Sequence, residues 1–153
     1  MKAQRISAGA IVVKDGKVLL VRHRKEGAYD FLVAPGGGVG DGEDAAAAAV
    51  REAKEEAGVT VHPVKLAFVE EFFSPVQREC KLWFWCRYLS GAPNAEAHEA
   101  TREYICEAAF FSREDLVSHT VFPPVLKHDA FWEAERKGFP TTEYLGLRAM
   151  EFS

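Results

Sequence analysis

Gly36-Gly37-Gly38-Val39-Gly40-Asp41-Gly42-Glu43-Asp44-Ala45-Ala46-Ala47-Ala48-Ala49-Val50-Arg51-Glu52-Ala53-Lys54-Glu55-Glu56-Ala57-Gly58-Val59 is the stretch on which the fold turns. Its first part, Gly36 to Gly42, is too rich in glycine for a regular element, since glycine gives up the most backbone freedom on ordering. From Asp44 to Ala57 the composition changes to alanine and glutamate, which favour helix, and Gly58 is a C-terminal stop. At about 100° per residue, with Glu52 at zero, Glu56 falls near about +40° and Glu55 near about −60°. Ala46, Ala49, Val50, Ala53 and Ala57 fall at about 60–160°, an apolar stripe suited to packing on a sheet. The three acids are therefore expected together, on the side away from that stripe.

Local stability does not choose such a cluster. Like charges at i,i+3 and i,i+4 repel by a few tenths of a kcal/mol per pair, roughly. The acids also sit toward the helix C-terminus, where the dipole disfavours negative charge. A divalent cation reverses the sign of the interaction, and carboxylate oxygens suit magnesium or manganese. Arg51 can reach Glu55 at i,i+4, orienting one acid while the others take metal. Taken alone, the cluster reads as a solvated face and the glycine run as a tight strand-to-helix connection.

Working outward, residues 5–13 and 17–24 are β-branched and apolar around Asp15-Gly16, a hairpin signal. Residues 31–34 form a short apolar run stopped by Pro35. Strand-like segments follow at about 63–74 and 80–90, then a polar loop at 91–100 and another strand at 104–111. Ser112-Arg113-Glu114-Asp115 starts a short helix in the manner of a capping box. Pro123-Pro124 opens a last helix to about Lys137, ended by Gly138. The tail, 139–153, is expected to be partly ordered.

The chain of 153 residues suits one domain, 1–153, with 48% hydrophobic and 27% charged residues, as in a soluble globular protein. A net charge of −4 supplies no basic field for long nucleic acid. It leaves room for a small phosphorylated partner, because a metal ion brings positive charge locally. Cys80, Cys86 and Cys106 lack disulfide or zinc spacing and read as small buried hydrophobes in a reducing compartment. Lys2 and Arg5 before Ile6–Val13 superficially suggest a signal peptide, but the run ends in a turn at Lys14-Asp15-Gly16-Lys17. No apolar run approaches the roughly 20 residues of a membrane span. A cytoplasmic protein is the expectation.

Gly37, five residues, Glu43, seven residues, then Arg51-Glu52-Ala53-Lys54-Glu55-Glu56-Ala57-Gly58-Val59 resembles the Nudix box, here spanning 37–59. The order of flanking strands and the length resemble the whole Nudix domain. Two positions depart: Ala53 where a larger aliphatic residue is usual, and Gly40 where many members have glutamate. The resemblance implies an α+β fold, the Nudix-type α/β/α sandwich with a mixed central sheet. It implies magnesium, or manganese in its place, held by Glu52, Glu55, Glu56 and the Gly37 carbonyl, with Glu43 and Arg51 in support. It implies hydrolysis of the diphosphate bond of a small nucleotide, with Glu52 or Glu56 as the base and Arg51 part of the catalytic set. A distal-loop acid is common in the family, and Glu96, Glu99 and Glu103 are candidates, Glu99 first among them. A homodimer is also compatible with the family.

Substrate choice is less determined. Arg22 and Arg24 can contact phosphate or simply face solvent. Tyr29, Phe31, Phe73, Trp83 and Trp85 can stack on a base or fill the core. Pro75 lies where Nudix enzymes acting on ADP-ribose often have proline, and Glu107–Leu116 resembles the segment after the distal acid in several members. ADP-ribose or a related nucleotide sugar is the leading substrate. A nucleoside triphosphate or dinucleoside polyphosphate hydrolase is the alternative enzyme, and a nucleotide-sensing module without catalysis the alternative class.

Overall fold

The computed structural model describes residues 3–95 and 104–150. Its organising element is β1 (Ala3–Lys14). Ala3–Val12 pairs in parallel with β6 (Gln77–Ser90), Val13 and Lys14 pair antiparallel with β2 (Lys17–Lys25), and Ser7–Gly9 pairs antiparallel with β4 (Gly36–Gly38). The hairpin expected around Asp15-Gly16 is present, with both residues at positive φ. β5 (Thr60–Phe73) continues antiparallel from β6, and β9 (Glu143–Ala149) adds in parallel to β5. On the other side β2 carries β3 (Tyr29–Val33), which meets β8 (Val121–Phe122), and also β7 (Ile105–Phe111). Parallel and antiparallel pairs are mixed, as expected.

Period-two alternation sends side chains to two cores. Ala8, Ala10, Val12, Leu19 and Val21 face a cluster with Ala49, Ala53 and Ala57 of α1 (Ala45–Ala57). Ile11, Val18 and Leu20 face a second cluster with Phe68, Trp83, Leu126, Phe131 and Phe139. α1 thus covers one side of the sheets. The other is covered by α2 (Arg113–Leu116), a 3-10 turn at Pro124–Lys127 and α3 (Asp129–Arg136). Gly9 is small for a stated reason: a Cβ there would lie 2.2 Å from the Trp83 ring.

Several expectations need correcting. The glycine run is not all loop, because Gly36–Gly38 is a strand paired antiparallel with Ser7–Gly9 of β1. The last helix is broken. His128 is extended between the 3-10 turn and α3, so the turn after Pro123 does not continue into one helix. The tail, by contrast, is partly ordered as expected: it supplies β9, with Gly146 at φ 95 within it. Cys86 is buried, with its thiol pushed up to about 12 by desolvation, but Cys80 is half-buried and Cys106 exposed on β7. Among the described residues no helix is long and apolar enough to cross a membrane.

Candidate active site

Two stripes of α1 are buried, not one. Ala49, Ala53 and Ala57 meet the apolar core, and beside them Ala48, Glu52 and Glu56 form a second row. Glu52 is 8% and Glu56 4% exposed, so the expectation that the acids point away from the packing side fails for these two. The cause is β4, which brings polar backbone against that row. The Gly36 N–H donates to Glu56 Oε1 at 2.8 Å. A Cβ on Gly37 would stand 2.6 Å from Glu52 Oε1, and one on Gly36 would stand 2.8 Å from the Ala8 carbonyl oxygen. Glycine is required here by close approach of backbone and carboxylate.

α1 is set by its ends. The Asp44 carboxylate accepts from the Ala47 N–H at 2.8 Å, an N-cap of the kind worth about 1 kcal/mol. Gly58 closes the C-terminus at φ 72 and donates to the Lys54 carbonyl. Arg51 then organises the acids. Its Nε and one terminal nitrogen donate to the two oxygens of Glu43 at 2.9 and 3.0 Å, and that nitrogen also reaches the Gly38 carbonyl at 3.0 Å. The other terminal nitrogen donates to Glu52 at 2.9 Å and Glu55 at 3.1 Å. Five donors make five bonds, the full capacity of a guanidinium. The expected Arg51–Glu55 pair is present, but Glu52 shares the same nitrogen. Glu43 also accepts from the Gly40 N–H, and the Arg51 bonds first, then Gly40, hold its carboxyl at about 2.

Hard oxygen donors suit a hard cation. β4 meets Glu56 through the Gly36 N–H and Glu52 beside Gly37, where no Cβ blocks approach, and Arg51 links Glu52 to Glu55. Among the described residues no three His, Cys, Asp or Glu side chains converge into a finished cage. Arg51 ties Glu52 to Glu55 through one terminal nitrogen. The donor chemistry of these carboxylates fits such an ion.

Across β4 lies a set of residues the sequence reading passed over. Lys81 of β6 is opposite Ser7 of β1 and Glu70 of β5 in the sheet register, and the next row aligns Arg5, Glu79, Phe72 and Arg148. Ser7, Glu70 and Glu79 are buried. The Ser7 hydroxyl donates to Glu79 at 2.6 Å, Gln77 donates to it at 3.1 Å, and the Trp83 indole donates to Glu70 at 2.9 Å. Desolvation lowers the Lys81 ammonium below the ordinary lysine range, against the upward pull of Glu56, Glu79 and Glu70. Its signal was Glu79 and Lys81 alternating with Cys80 and Leu82: polar positions at period two inside an apolar strand.

The remaining expectations separate. Arg22 is committed to Asp30 by two bonds of 2.8 and 2.7 Å and lies 3.7 Å from Glu107, without a hydrogen bond or ion pair to the box. Arg24 is exposed on β2 and likewise makes no such contact with the box. Pro75 sits in an exposed turn where the Ser74 hydroxyl accepts from the Val76 and Gln77 N–H groups. Trp83 is core, Trp85 packs on Phe139, Phe73 is largely exposed, and Tyr29 packs against Phe31. Phe31 lines a pocket of about 170 Å³ with Phe72, Glu79, Lys81, Phe122 and Arg148. Glu96, Glu99 and Glu103 lie outside the described residues.

The NUDIX domain family model matches residues 3–131. Among solved structures, a NUDIX hydrolase from Nitrosomonas europaea superposes with a TM-score of 0.76 at 18% identity, over 98% of this chain and 81% of that one. A UDP-X diphosphatase gives 0.69 at 20% identity, over 94% of this chain and 68% of that one. An ADP-ribose pyrophosphatase from Streptococcus suis gives 0.63 at 21% identity, over 95% and 98%. Such likenesses speak to fold, and the α/β/α arrangement with its mixed sheet is the one they share. With the domain match covering most of its length and the box residues in place on β4 and α1, the chain belongs to the Nudix family of pyrophosphohydrolases.

Proposed function

We propose that the protein hydrolyses the diphosphate bond of a nucleoside diphosphate joined to a second moiety, ADP-ribose or a related nucleotide sugar, with magnesium or manganese as cofactor. The observation that carries this reading is the Arg51 hub, which gathers Glu43, Glu52, Glu55 and the Gly38 carbonyl while Glu56 rests on the Gly36 N–H. Glu52, Glu55, Glu56 and the Gly37 carbonyl would hold the ion. When bound, a divalent cation supplies positive charge against the diphosphate oxygens and makes an attacking water more acidic. Glu52, or Glu56 in its place, would accept the proton of the attacking water. Glu43 anchors Arg51, and Arg51 orients Glu52 and Glu55, as supporting groups around a metal do. Two enzymes of similar fold are named for UDP-X and ADP-ribose, which agrees with a nucleoside diphosphate linked to a variable group.

A substrate panel with and without magnesium, with products identified by mass, tests this. The panel holds ADP-ribose, nucleotide sugars of the other bases, nucleoside triphosphates and dinucleoside polyphosphates. The expected result is cleavage of a nucleotide sugar to a nucleoside monophosphate and a sugar phosphate only when the cation is present. Turnover confined to triphosphates would replace the reading with the second enzyme class. Nucleotide binding without turnover would make the protein a sensor.

A further inference from the structure

The pocket behind Gly36 has a built interior that hydrolysis of a diphosphate does not itself require. It begins beside the acids: a Cβ on Gly36 would lie 2.9 Å from Lys81 Cε, while the Gly36 N–H holds Glu56. From β6 across β5 to β9 is two strand spacings, about 10 Å, a span that a ribose and a base can cover. Phe31 and Phe122 come from the facing strands, with ring centres 5.3 Å apart at 81°, and Phe72 comes from β5. About 170 Å³ is small beside the roughly 300–1,000 Å³ that encloses a drug-sized ligand, so the pocket takes one ring system.

Arg148 is the distinctive wall. Its guanidinium carbon lies 4.4 Å from the Phe72 ring centre and 4.8 Å from that of Phe122. Its Nε is buried without a hydrogen bond, 3.6 Å from Glu70. Stacking and one buried carboxylate thus fix its plane, and no hydrogen bond among the described residues takes up its donors. A guanidinium only donates, so the pocket is made for a flat ligand with an acceptor on its edge. A phosphate is the rival occupant, since Lys81 and Arg5 share these two rows with Glu70 and Glu79, and the titration below separates the two. The family match ends at residue 131, and Arg148 arrives on β9, beyond it. Arg148 stands apart from the box on β4 and α1, a place suited to choosing a substrate.

We propose that this pocket seats the nucleobase of the substrate and that Arg148 donates to a carbonyl oxygen on it. The proposal rests on the diphosphate reading above only in calling the ligand a substrate. Uracil, guanine and cytosine offer such an oxygen; adenine offers a ring nitrogen beside an amino donor, which a guanidinium cannot serve as well. Within the nucleotide sugars this favours oxo bases over ADP-ribose.

Calorimetric titration of the full chain with UMP, GMP, CMP and AMP, without divalent cation, reads the pocket separately from hydrolysis. The oxo-base nucleotides should bind roughly tenfold or more tighter than AMP, the scale of a good base contact. Arg148→Gln should erase that preference, and Phe31→Leu should weaken all four. Arg148→Lys, which keeps the charge but not the planar fork, should also lose the preference, and it serves if the glutamine variant does not fold. AMP binding as tightly as the others, no binding at all, or equal weakening of all four by Arg148→Gln would overturn the proposal, the last by making Arg148 a phosphate contact. Base-selective binding without hydrolysis would sink the diphosphate reading and leave the pocket; magnesium-dependent hydrolysis indifferent to the base would do the reverse.

Discussion

Both corners of the site bury carboxylates, but they hold them in different ways. In the box, Glu43, Glu52 and Glu55 share one arginine, and Glu56 shares its burial with a glycine N–H. Behind β4, Glu70 and Glu79 take their hydrogen bonds from neutral donors, Trp83, Ser7 and Gln77, while the cations around them, Lys81, Arg148 and Arg5, act through charge alone, the two arginines at 3.6 and 3.8 Å. A carboxylate held by a cation can exchange that cation for another, as a metal site must. One held by fixed neutral dipoles keeps its place and shapes what surrounds it. The box is therefore the exchangeable half, and the row on β5, β6 and β9 the rigid half.

The contrast breaks most visibly at Glu52. Glu52→Gln keeps an oxygen for Arg51 but removes the charge and the basic site. We expect kcat for the magnesium-dependent reaction to fall about 10²–10⁴-fold, the usual worth of a positioned proton acceptor. The unfolding midpoint should move little, because the amide fits the same space. Normal turnover in this variant would remove Glu52 from the chemistry.

How far each half was legible follows from chain distance. The box lies within residues 37–59, so helical periodicity alone collects Glu52, Glu55 and Glu56, and the resemblance to the Nudix box adds Gly37 and Glu43. Even there the projection missed the burial of Glu52 and Glu56, because nothing in the glycine run announced that Gly36–Gly38 would pair with β1 and cover that face. The rigid half was illegible for a stronger reason. Ser7 and Glu79 stand 72 positions apart and meet only through the parallel β1–β6 register. Arg148 reaches the pocket on a strand that Gly146 interrupts. Period-two polarity in Glu79 and Lys81 marked a polar face, but no local pattern says which strand will lie beside it.

A smaller effect sharpens the exchangeable half. Arg51→Lys keeps the charge and loses the fork. An ammonium has three donors and no plane, so it cannot serve both oxygens of Glu43, the Gly38 carbonyl and the pair Glu52 and Glu55 together. Activity should drop about 10–100-fold, the range for groups that orient metal ligands, with a higher magnesium concentration needed for half-maximal rate. Wild-type kinetics and magnesium dependence would mean that charge alone suffices and that the five-bond geometry is incidental.

The smallest effect belongs to the rigid half and should appear in stability before rate. Ser7→Ala removes the 2.6 Å donor to Glu79, whose residue is 7% exposed, and leaves Gln77 as its near partner with Arg5 at 3.8 Å. A buried acceptor deprived of its donor costs about 1–3 kcal/mol. For a chain of this length each kcal/mol lowers the unfolding midpoint by about 2–4 °C. Thermal unfolding should register that loss, while magnesium-dependent kcat changes far less than in Glu52→Gln, since Ser7 touches none of the box acids. If the midpoint instead stayed fixed while kcat collapsed, Glu79 would belong with the reacting groups, and the division between an exchangeable and a rigid half would have been drawn through the wrong strand.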